Sequence, residues 1–88
     1  MRLRPEVQKF AEEMERELRV NEHKGDWGDC NEEFLISEMN RNIVRLIQTI
    51  ERDNGNGLFA DTVIRRCANV ANFAMMIADN ECGKSNAP

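Results

Sequence analysis

The sequence predicts an all-α fold, and three observations carry that prediction. Three segments place apolar residues three and four apart, the spacing that lines one face of a helix. Two turn-rich stretches separate them, residues 21 to 30 with Gly25 and Gly28, and Asn54-Gly-Asn-Gly57. The last segment is apolar on nearly every side, and a helix of that kind has to be covered on most sides.

The first helix is expected from about Arg4 to Val20, with Pro5 tolerated in its first turn. Its stripe is Val7, Phe10, Met14 and Leu18. The second follows a cap at Asp29 or Asn31 and runs to about Asp53, with the stripe Leu35, Met39, Ile43, Leu46, Ile47 and Ile50. The third is expected from about Phe59 to Asn80. It carries Val63, Ile64, Cys67, Val70, Phe73, Met75, Met76 and Ile77, with five alanines between. Two helices of so short a chain cannot cover it, so a second subunit is the expected cover. Residues 1–82 read as one helical domain and residues 83–88 as a disordered tail.

With 88 residues the chain buries a smaller share of its surface than a mid-sized domain, which makes oligomerisation a common remedy. A formal charge of -4 argues against general binding to nucleic acid or anionic membrane. The N-terminus is charged from Arg2 and has no apolar run, so no signal peptide is expected, and no stretch is apolar enough to span a bilayer. Three widely spaced cysteines, Cys30, Cys67 and Cys82, fit free thiols in a reducing cytoplasm. With the lone His23 they lack metal-ligand spacing.

The acids are unevenly placed. From Met39 to Ile50, and again from Thr62 to Ala78, there is no Asp or Glu, although the chain holds 16 acids against 12 Lys and Arg. The polar positions hold Arg41, Asn42 and Arg45 in the first stretch, and Arg66 and Asn69 in the second. At ~100° per residue each set falls on one helix face. The first set lies apart from the Ile43/Ile50 stripe. Arg66 has Val63, Val70 and Phe73 at helical spacing, so its stem runs along apolar surface. A guanidinium there needs a route to water or an anion. For the cluster of arginines the scaffold alternative is an intramolecular partner such as Glu38, one turn before Arg41 and Asn42.

Three segments carry a resemblance. Asn21-Glu-His-Lys-Gly-Asp-Trp27 is similar to the N-D-H-K-G-G-W loop of small phage-type MazG-like proteins, all-α nucleoside triphosphate pyrophosphohydrolases. The run Arg66 to Asp79 is similar to their E-x-A-D-V-A-N-F-A-M-M-I-A-D helix, and Leu3 to Phe10 resembles their opening helix. The likeness covers nearly all of residues 3 to 80. It implies a helical bundle completed by oligomerisation, as a homodimer or homotetramer. It also implies a site in which E-E-x-x-E and E-x-x-D hold magnesium for cleavage between the α and β phosphates. Here those five positions are Arg41, Asn42, Arg45, Arg66 and Asn69, so every ligand of the family pattern is replaced.

Metal-assisted hydrolysis needs side chains that hold the metal, so the chain is expected not to be an enzyme and to use no metal or other cofactor. Arginine is always protonated and can bind phosphate in a two-pronged fashion, so it can stand in for magnesium as counter-charge. The expected function is therefore sequestration of a nucleotide or nucleotide-derived signal without cleavage, with a phage sponge acting in the host cytoplasm as the analogous use. The expected ligand-binding residues are Arg41, Asn42, Arg45, Arg66 and Asn69, and, by resemblance, His23, Lys24 as a phosphate contact and Trp27 as a stacking wall. The alternative is a structural or regulatory homo-oligomeric subunit without a small ligand. Deliberate replacement of the acids in an engineered chain gives the same pattern.

Overall fold

The computed structural model describes residues 1–22 and 25–85, Ser85 by its backbone alone. Its α-helices are α1 (Pro5–Val20), α2 (Glu32–Asp53) and α3 (Ala60–Ser85), with one short 3-10 turn at Trp27–Asp29 and no strand among the described residues. The expected all-α class is what is found. His23, Lys24 and residues 86–88 lie outside the described residues.

Local chemistry sets the helix boundaries. Pro5 opens α1, where its missing N–H leaves no helical bond unmade. Asn31, rather than Asp29, caps α2: its Oδ1 accepts the N–H of Phe34 at 2.7 Å. At the other end Asn54 turns left-handed, with φ of 49°, and its N–H returns to the Ile50 carbonyl. The α2–α3 corner then folds around Asp53. Its carboxylate accepts the N–H of Phe59 at 2.7 Å and of Gly57 at 3.0 Å. These bonds hold the Asp53 carboxyl below the usual carboxylate range, the Phe59 bond having the larger effect. Helix α3 runs to Ser85, past the end expected near Asn80, so Gly83, Lys84 and Ser85 are helical rather than tail. An ion pair from Lys84 to Glu81, 2.8 Å and three residues apart, supports this last turn.

Helix α3 is the centre of the subunit. It packs against α2 along much of its length and against α1 more briefly, while the α1 and α2 backbones stay more than 8 Å apart, Cα to Cα, among the described residues. The fully buried positions show where the layers meet: Leu35 on α2, and Ala68 and Asn72 on α3. Asn72 ties α3 to α1, its Nδ2 donating to the Met14 carbonyl at 3.0 Å. Helix α1 buries nothing completely; Phe10, Met14 and Leu18 are half-buried and Val7 is exposed.

The buried line of α2 is rotated from the expected stripe. It runs through buried Leu35 and Asn42 to half-buried Leu46, and Asn42 is only 6 % exposed. Ile47 and Ile50, expected in the core, are each 49 % exposed. The expected stripe is about 60° off the buried one, because α2 has apolar residues over a wider arc than α3 alone can cover. The molecule measures 52 × 33 × 22 Å, with a radius of gyration of 14.6 Å. A compact chain of this length would have about 12 Å.

Candidate functional site

Two pairings fix how α2 and α3 run past each other. Asp53 meets Phe59 at the corner, and Leu35 shares a cleft with Ile77 at the far end. Both fit one antiparallel register, in which each step forward on α2 is a step back on α3. By that count Leu46 is level with Arg66, and Ile43 with Asn69. Asn42 and Arg45 therefore stand within about one turn of Arg66 and Asn69, measured along the axes. Helical phase places Glu38, Arg41 and Arg45 on the side of α2 that flanks the groove between α1 and α2, and Thr62, Arg65 and Asn69 on the groove floor.

The five positions are not equivalent. Arg41 is exposed and has a partner, its Nη1 lying 3.6 Å from Glu38 Oε1, the acid expected from sequence. Asn42 belongs to the α2–α3 packing face instead of the strip beside Arg41 and Arg45. Its Nδ2 donates to its own helix, at the Glu38 carbonyl, 2.8 Å away. Arg45 is exposed, and its carbonyl accepts the Thr49 hydroxyl at 2.8 Å. Arg66 is half-buried, and its Nε is a buried donor without an acceptor among the described residues. Asn69 is half-buried. Arg66 is the position under tension, since a desolvated guanidinium N–H without an acceptor is unfavourable.

Trp27 is placed elsewhere. Its indole N–H donates to Asp79 Oδ2 at 3.0 Å, and its carbonyl accepts Asn80 Nδ2 at 3.3 Å. Asp79 lies about 15 Å along α3 from Asn69, at 1.5 Å per residue. The two bonds fasten the 3-10 turn to the end of α3, so Trp27 acts as a clasp at a distance from the arginines. His23 and Lys24, the other loop residues expected at the site, lie outside the described residues.

A cleft also lies at that far end. It measures about 610 Å³ and is bordered by Gly28, Asn31, Leu35, Ile77, Asn80 and Lys84. Its one ammonium lies among two carboxylates. Lys84 holds Glu81 below the usual carboxylate range, chiefly through their hydrogen bond, and is itself raised by Glu81. Glu32, on the first turn of α2, completes this cluster.

Among the described residues no group of three or more His, Cys, Asp or Glu is placed to hold a metal ion. Among the described residues no helix is long and apolar enough to cross a membrane. Cys30, Cys67 and Cys82 are free thiols. Scans of the chain against protein-family models, curated proteins and solved structures find no match.

Proposed function

We propose that the chain binds a nucleotide or a nucleotide-derived, phosphate-bearing signal and does not hydrolyse it. The observation that carries this reading is the buried, partnerless Nε of Arg66, level on its helix with Asn42 and Arg45 across the α2–α3 pair. A phosphate oxygen is an acceptor that meets its need. Arg45, exposed and within about one turn of Arg66 along the axes, is the second cation proposed for the same anion. The resemblance to MazG-like pyrophosphohydrolases gives the reading its ligand class. Arg and Asn in place of their acids leave magnesium without a carboxylate, so binding rather than metal-assisted hydrolysis is the activity proposed. Sequestration by a phage of a host nucleotide signal is the corresponding biological use, with the host cytoplasm as its place.

The second reading, a structural or regulatory homo-oligomeric subunit, draws on the Arg41–Glu38 ion pair. It treats the arginines as parts of the scaffold.

Thermal-shift measurement separates the two readings. A panel of nucleoside mono-, di- and triphosphates and cyclic nucleotides is run in EDTA and in magnesium, since a ligand that binds only the folded state raises Tm. Binding by the proposed site raises Tm equally in both and weakens with salt. Arg66→Ala should then remove about 2–5 kcal/mol of binding while leaving the far-ultraviolet circular dichroism unchanged. No shift with any nucleotide, together with a marked loss of stability in Arg66→Ala, refutes the binding reading and favours the scaffold.

A further inference from the structure

Helix α1 is held to the subunit through one neighbour. It meets α3 briefly, and its backbone stays more than 8 Å from that of α2 among the described residues. No residue of α1 is fully buried: Phe10, Met14 and Leu18 are half-buried, and Val7 is exposed. Its ion pairs, Arg16–Glu13 and Arg19–Glu15, lie within the helix and tie it to nothing else. Among the described residues, the single side-chain hydrogen bond that joins α1 to another helix runs from Asn72 to the Met14 carbonyl.

That bond is an incomplete tie. Asn72 is 3 % exposed, and although its Nδ2 has the Met14 carbonyl, its Oδ1 is buried without a donor among the described residues. An acceptor buried unpaired opposes the docking that buries it, because water would satisfy it once the helix moved away. The Met14 carbonyl, within α1, also has the Leu18 N–H at helical spacing, so it is not orphaned when Asn72 is withdrawn.

The α2–α3 pair is closed without α1. At one end the Asp53 carboxylate accepts the N–H groups of Gly57 and Phe59. At the other, the bonds from Trp27 to Asp79 and from Asn80 to the Trp27 carbonyl fasten the chain just before α2 to α3. This clasp lies between α1 and α2 in sequence, so a movement of α1 ends at Trp27 and does not pull on α2.

We infer that α1 is a releasable arm, which undocks from α3 as a unit of its own while α2 and α3 stay paired. Release uncovers Asn72 and removes the α1 wall of the groove that has Thr62, Arg65 and Asn69 on its floor. The arm thus sets how open that face is. The inference goes beyond the proposed binding and stands without it, since no step of it draws on Arg66 or Arg45.

Hydrogen exchange of the full chain, read amide by amide, tests it. The α1 amides should share one opening, at least about a hundredfold more frequent than the opening that exposes the best-protected amides of α2 and α3. Phe10→Glu/Leu18→Glu places two charges on the docking face of α1. In that variant α1 should lose its protection, while α2 and α3 stay protected and Trp27 emission stays that of wild type. Asp53→Asn weakens the α2–α3 corner alone, so it should speed exchange in α2 and α3 about fivefold and leave the α1 rates unchanged. An opening of equal frequency in all three helices, loss of the whole fold in the double variant, or equal acceleration throughout Asp53→Asn overturns the inference, since each would make α1 part of one cooperative unit.

Discussion

The Trp27 indole N–H donates to the carboxylate of Asp79, 52 residues away in sequence, at 3.0 Å. This bond and the one from Asn80 to the Trp27 carbonyl join the loop before α2 to the last turns of α3. Trp27 is the single tryptophan of the chain, so its fluorescence reports on this clasp alone.

Asp79→Ala should shift Trp27 emission toward that of a solvated indole and lower stability by about 1 kcal/mol, the usual net worth of such a bond near the surface. Fluorescence spectra and urea denaturation check both effects. Unchanged emission would mean that Asp79 does not hold the ring.

Acid should loosen the α2–α3 corner. The folded-state pKa of Asp53 is lowered by the N–H groups of Phe59 and Gly57, so the folded chain keeps the charged form to lower pH than the unfolded chain does. Its contribution is therefore full above the unfolded carboxylate pKa, near 4, and disappears as pH falls through the lower folded value. In Asp53→Asn the amide retains one acceptor for two N–H groups. Its Tm at pH 7 should fall, and its stability should change less than wild type's between about pH 5 and pH 2. Thermal melts across that range decide it; parallel pH profiles for the two proteins would reject the role given to Asp53.

Asn42 is where stability and the proposed binding pull apart. It occupies a buried position between Leu35 and Leu46, and its amide bonds only its own helix. Asn42→Leu removes a buried polar group from an apolar face and should stabilise the fold by about 1 kcal/mol in urea denaturation. Any nucleotide affinity that draws on this amide should fall in the same variant. A destabilised Asn42→Leu would show that the amide has a packing role that leucine cannot take over.

The sequence determined the helices. Pro5, Asn31 and the Asn54–Gly57 turn act within a few residues of themselves, so the starts of α1, α2 and α3 and the α2–α3 corner could be read directly, to within a residue or two. The Glu38 partner of Arg41 was legible for the same reason, being three residues away on one helix. Which face of each helix is buried was decided by the tertiary structure. Helix α2 has apolar side chains over more than one face, and periodicity alone cannot say which of them meets α3. The answer moved Asn42 inside and left Ile47 and Ile50 out. Trp27, assigned to a binding wall by resemblance, was fastened instead by Asp79 and Asn80, partners too distant in sequence for any local pattern to reveal. The orphaned Nε of Arg66 was only half legible. Its apolar helical neighbours signalled a dry setting, but whether an acid reached it depended on the register of α2 against α3, which only the packed chain fixes.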